Sequence, residues 1–270
     1  MRLCLTLLCL LLALPSSAAQ LTLELSTGTR HWQSEQLLTH PQARDLSVEQ
    51  DVAYKRAMHY RAVPLAALLE GVQPGDHLQA VALDGFAAEM PASPLLQMDP
   101  TQAQAWLAIE DPKQPWPPLA KGKPGAGPFY LVWRNPQASG IRPEQWPFQI
   151  ATIRRLPPVE TRFPALLPDP ALAADSPVRQ GFALFQQNCL ACHRLNGAGD
   201  AQFGPDLNLP HNPTEYFQPA FLRQYIRDPQ SLRHWPQARM PGFAAQVLNE
   251  QELDALLAYL RHMAGRKAQP

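Results

Sequence analysis

The chain has 270 residues, with 23 basic and 23 acidic side chains and a formal net charge of zero. That balance excludes the basic excess expected of a nucleic-acid binder. Thirty prolines argue against a continuous helical bundle and for many turns and extended connections.

Residues 1–19 read as a secretory signal peptide. Arg2 supplies the positive start, Leu3 to Leu14 the apolar core, and Ser17-Ala18-Ala19 a small-residue cleavage site, so Gln20 is the expected mature start. The alternative is an uncleaved anchor, although the apolar core is short for a span. No later stretch is long and apolar enough to cross a bilayer.

Residues 20–156 read as a mixed α+β domain. Leu21, Leu23 and Leu25 alternate with polar residues, as in a half-buried strand. Pro64 opens a short helix that Gly71 closes, and Pro74-Gly75-Asp76 is a turn. Residues 78–83 form a strand ending at the Asp84-Gly85 turn. Residues 105–110, 129–134 and 148–154 are further strands, the last two rich in aromatic and β-branched side chains. The Gly- and Pro-rich stretch 121–128 is a loop.

Residues 157–177 hold six prolines: Pro157, Pro158, Pro164, Pro168, Pro170 and Pro177. Fixed φ and missing donors predict a stiff, extended linker between two domains; a proline-rich surface loop within one domain is the alternative.

Residues 178–270 read as helical. Phe182 and Phe185 share one helix face. Asn249 and Glu252 form a capping box for a final helix with a Leu253, Leu256, Leu257, Leu260 stripe, and Gly265 stops it.

The most informative stretch is Cys189-Leu190-Ala191-Cys192-His193. This is the C-x-x-C-H pattern of covalent haem attachment. Two thiols three positions apart lie on one side of a helical turn, where they can form thioethers to the two vinyl groups on one haem edge. The adjacent His193 reaches the iron. The same C-x-x-C could be a thioredoxin-like redox pair or half a zinc site. A redox pair wants a βαβ setting and no following His. Zinc wants a second ligand pair, and the remaining cysteines, Cys4 and Cys9, lie in the leader.

Residues 178–266 resemble a class I, mono-haem cytochrome c: an N-terminal helix, C-x-x-C-H, a Gly-Pro-x-Leu loop, and Met-Pro before a C-terminal helix. The resemblance implies an all-α cytochrome c fold and one covalent haem c. His193 is the implied proximal ligand, held by the carbonyl of Pro205 in Gly204-Pro205-Asp206-Leu207. Met240 is the implied sixth ligand, with His211 and His234 as rivals for a bis-His site. Phe203, Leu207, Tyr225, Trp235 and Phe243 are candidates for the apolar wall, a role that overlaps with plain core packing; one or two of Arg223, Arg227, Arg233 and Arg239 are candidates for propionate partners, each arginine reading first as part of a solvated basic face. Gly181 and Tyr259 match positions where the first and last helices cross.

Residues 50–156 more faintly resemble the molybdopterin-binding domain of sulfite-oxidase-type enzymes. The shared features are Tyr60-Arg61-Ala62-Val63-Pro64-Leu65, Asp84-Gly85-Phe86, the Gly-rich loop before Phe129-Tyr130-Leu131-Val132, and 146–153. That family binds its metal through a cysteine, and none lies between Gln20 and Leu156. The expectation is a metal-free module for docking or ligand binding.

The expected function is a periplasmic carrier of single electrons between redox partner proteins. The alternatives are a cytochrome subunit of an oxidoreductase, whose N-terminal domain binds substrate or cofactor, and a haem-bearing sensor.

Overall fold

The structure is a computed structural model, described here for residues 19–201 and 203–268. The expected leader falls almost entirely outside the described residues.

The N-terminal part is built from two sheets. The first has the order β2-β1-β9-β5-β6, from β1 (Gln20–Leu25), β2 (Gly28–Gln33), β5 (His77–Ala82), β6 (Ala87–Pro91) and β9 (Ile150–Leu156). β1 runs parallel to β9, while the other neighbours are antiparallel. The second, of order β3-β4-β7-β8, is antiparallel throughout: β3 (Arg44–Val48), β4 (Met58–Pro64), β7 (Gln104–Ile109) and β8 (Phe129–Arg134). In β8, Phe129 to Trp133 are all buried, so both of its faces are covered. That explains a continuous apolar run where a half-exposed strand would alternate.

The strands expected from the sequence fall within two residues of β1, β5, β7, β8 and β9. β2, β3, β4 and β6 were not anticipated as strands. β3 carries only Leu46 and Val48 inward, and β6 relies on alanines, so neither gives a strong alternating signal. The helical share is smaller than an α+β reading implies: α1 (Ser34–Leu38), α2 (Ala92–Leu95) and single 3-10 turns. The expected helix after Pro64 is one such turn, Leu65–Ala67.

Residues 157–177 depart from the expected extended linker. They form α3 (Val159–Arg162) and a 3-10 turn at Pro164–Leu166. Val159 and Leu166 are fully buried in the C-terminal core. The Leu166 carbonyl accepts a hydrogen bond of 2.7 Å from Tyr259 Oη. Pro164 and Pro177 each begin a helical turn, where a fixed φ and a missing N–H cost nothing.

The C-terminal part is helical: α4 (Pro177–Asn188), α5 (Pro213–Tyr216), α6 (Pro219–Arg227), α7 (Pro229–Leu232) and α8 (Glu250–Ala264). α4 and α8 pack closely because Gly181 has no side chain; a Cβ there would lie 2.0 Å from the Ala255 carbonyl oxygen. Phe182 and Phe185 lie against Tyr259 at 5.5 and 5.4 Å between ring centres. The capping box of Asn249 and Glu252 opens α8, and its leucine stripe is buried as expected.

The two parts also meet directly. Arg162 donates to Glu89 at 2.7 Å and to Asp200 at 2.6 Å, and Gln79 donates to the same two carboxylates at 2.6 and 2.7 Å. His77 faces Glu89 at 2.5 Å. On another side, Arg142 pairs with Glu252 and donates to the Val247 carbonyl.

Candidate haem site

The C-x-x-C-H segment follows α4 as a tight turn. The N–H groups of Cys192 and His193 both donate to the Cys189 carbonyl, at 3.0 and 2.8 Å. This turn sets the two thiols at helical spacing, and both are free. Burial raises both thiols: Cys189 lies far above the usual range, and Cys192 at about 11, with the Glu144 carboxylate adding to each. At neutral pH both sulfurs are therefore protonated and uncharged, which suits conversion to neutral thioethers.

His193 is fixed from two sides. Its Nδ1 lies 2.9 Å from the Pro205 carbonyl oxygen. A carbonyl only accepts, so Nδ1 carries the proton and Nε2 is left with its lone pair, as an iron ligand requires. Burial lowers the imidazole's proton affinity, against the opposing pull of the Pro205 carbonyl and Asp206, which keeps the ring neutral. Gly204 closes the other side: a Cβ there would sit 2.3 Å from His193 Cε1. The glycine of Gly-Pro-x-Leu is thus required by the ring that packs on it.

The loop that carries Pro205 is held by groups that sequence reasoning missed. Asp206 accepts backbone N–H bonds from Asn196, Gly197, Asn208 and Leu209, at 2.6 to 3.1 Å. Asn208 and Asn212, both fully buried, donate to the carbonyls of Met263 and Leu260 at 2.7 and 2.9 Å. They tie the loop to the last turn of α8. Asparagine is common in exposed loops, so only the tertiary partners mark these two as structural.

Met240 is half-buried against the same apolar cluster as Cys189. Its place is set three residues later, where Phe243 N–H donates to the Ile226 carbonyl at 3.0 Å and Arg227 donates to the Phe243 carbonyl at 2.8 Å. A Cβ on Gly242 would lie 2.4 Å from the Arg227 carbonyl oxygen, so this strap also needs its glycine. His211 and His234, the rival ligands, are both exposed.

Two expectations for the surroundings change. Trp235 is 59% exposed, whereas Phe243 is buried. Arg223 pairs with Glu250 and Asp254, and Arg227 with Glu250, so both guanidiniums are engaged within the protein.

The donor set fits a covalently held haem: two free thiols at helical spacing, an imidazole with its Nε2 available, and a thioether strapped to the same core. Asp51, 2% exposed, accepts from Tyr60 Oη at 2.7 Å and from the N–H groups of Ala53 and Tyr54 at 2.9 and 2.8 Å. Among the described residues no group of three or more His, Cys, Asp or Glu is placed to hold a metal ion.

Comparison with known families agrees with this geometry. Residues 178–264 match the family model described as Cytochrome c. The C-terminal third is thus a cytochrome c domain, an electron-transfer unit with covalently bound haem c. A search of curated proteins finds no match to the chain. Among the described residues no helix is long and apolar enough to cross a membrane.

Proposed function

We propose that the chain is an exported, single-haem electron carrier in which Cys189 and Cys192 tether the haem, and His193 and Met240 bind the iron. The reading takes residues 1–19 as the export leader and the periplasm as the destination. The N-terminal part serves as a metal-free docking module that selects the redox partner proteins. The observation that carries the site assignment is the 2.9 Å contact between His193 Nδ1 and the Pro205 carbonyl. It orients one nitrogen toward a metal and supports the tautomer that binds it.

When bound, the haem supplies a one-electron couple. The protein's own contributions are distinct. Pro205 and Gly204 hold the imidazole in one orientation. The 242–243 strap keeps the Met240 sulfur in place. The buried apolar cluster around Phe185, Leu253 and Leu257 excludes water. With His193 and Met240 both holding the iron, the group would supply outer-sphere electron transfer rather than substrate chemistry at the metal.

The purified full-length protein should contain iron and no molybdenum, cycle reversibly by one electron, and resist carbon monoxide when reduced. Rapid carbon monoxide binding would remove the Met240 assignment. Stoichiometric molybdenum would replace the carrier reading with that of an oxidoreductase subunit.

A further inference from the structure

The turn Pro143–Gln145 belongs to the N-terminal part but packs against α4 of the cytochrome domain. Arg142, just before it, is anchored across the interface by Glu252 and the Val247 carbonyl. This anchoring directs Glu144 toward the C-x-x-C-H turn, where its charge acts on both thiols. Its Oε2 is buried and has no hydrogen-bond partner. An unpartnered buried carboxyl oxygen is costly and calls for an explanation.

We infer that the N-terminal part completes the haem site, covering the tethered edge and placing the Glu144 carboxyl there to set part of the iron's midpoint potential. The inference rests on the covalent-haem reading above. A negative charge held in a poorly solvated place favours the more positive, oxidised iron and so lowers the potential; a neutral carboxylic acid does not. Burial lifts this carboxyl to about 7, against the opposing pull of its own backbone N–H and the charges of Arg142 and Lys55. It acts in turn on the Cys189 and Cys192 sulfurs, which become uncharged thioethers; Asp84 also acts on Cys192. When a protein donor reduces the site by one electron, the Glu144 carboxylate takes one proton from solvent and becomes a carboxylic acid. Oxidation by an acceptor returns both. Electron transfer through this domain is thereby coupled to a proton through a residue of the other.

The test is the midpoint potential of the full-length holoprotein from about pH 6 to 8, a window that brackets this carboxyl. The wild-type potential should fall as pH rises. Glu144→Gln should lose that slope, match the wild-type low-pH value, and lie above wild type at pH 8. A flat wild-type profile, or the same slope in both proteins, overturns the inference while leaving the haem assignment intact; absence of covalent haem overturns the underlying reading instead. If Gln at this position prevents haem loading, Glu144→Leu is read the same way. A second measurement needs no variant. Redox-difference infrared spectra with isotope-labelled haem propionates should show an unlabelled protonated-carboxyl band gained on reduction. Its lack overturns the inference.

Discussion

The two parts of the chain close their cores in different ways. The N-terminal part fills its interior with its own side chains. Leu21, Leu23, Leu78, Phe129, Leu131 and Ile153 are completely buried, and its buried Asp51 is bonded by Tyr60 of β4, Tyr130 of β8 and the adjacent N–H groups of Ala53 and Tyr54. The C-terminal part has a smaller core on α4 and α8, against which Cys189, Leu207, Phe217 and Met240 are only partly buried. The first region gains stability from sheet packing and offers surface. The second spends much of its sequence on holding a few ligand atoms in place. Variants should therefore act differently in the two regions.

The largest effect is expected at Gly204. Gly204→Val places atoms where the His193 ring lies, so covalent haem should fall to a small fraction of wild type, with the N-terminal fold intact by near-ultraviolet circular dichroism. Unchanged haem loading would mean the ring does not pack there. Next is Met240→Ala. It should retain the covalent haem, open the sixth position to carbon monoxide and lower the midpoint potential. An unaltered spectrum and potential would reject the ligand.

Gly181→Ala tests the helix crossing rather than the ligands. The added methyl meets the Ala255 carbonyl at 2.0 Å, so thermal unfolding of the cytochrome domain should be destabilised by about 2–3 kcal/mol. A variant as stable as wild type would show that α4 and α8 sit further apart.

The smallest effect is expected where the two parts meet. Arg162→Met leaves Glu89, 4% exposed at its side chain, without one of its charged partners and should cost on the order of 2 kcal/mol in the docking of the two parts. Burial pushes the Glu89 carboxyl up, but hydrogen bonds from His77 and Arg162 outweigh it and hold it below the usual carboxylate range. Its contribution is therefore fully present above that range and is lost as pH falls through the folded-state value. In wild type, hydrogen exchange at the interface should rise only in strong acid; in Arg162→Met it should rise at higher pH. Identical profiles would show that the ion pair does not hold the interface.

Much of the C-terminal part was legible because its chemistry is local. C-x-x-C-H, Gly-Pro-x-Leu and the Asn249 capping box each lie within a few residues: the first forms a tight turn, the second sets the Pro205 carbonyl at His193 as the resemblance implies, and the third opens α8. The first sheet's central strands were legible from alternation. What escaped depends on contacts distant in sequence. The 157–177 stretch read as a linker because its prolines fit either an extended chain or the first turn of a helix, and only the entry of Val159 and Leu166 into the core that holds α8's Tyr259, more than 90 residues on, decides between them. Glu144 carries no signal in the sequence, because what places it is Arg142 anchoring its turn against the other domain. The family match begins at residue 178, where the sequence-based boundary also falls, while Val159 and Leu166 upstream of it add to the same core.

The most direct measurement is the mass of the denatured full-length protein, made in cells that attach haem to exported cytochromes and then extracted with acid–acetone. The account predicts that colour stays with the polypeptide, that the mass exceeds the chain by one haem, and that the increment maps to the peptide containing Cys189 and Cys192. Colour lost to the solvent, or a chain mass without that increment, would contradict it.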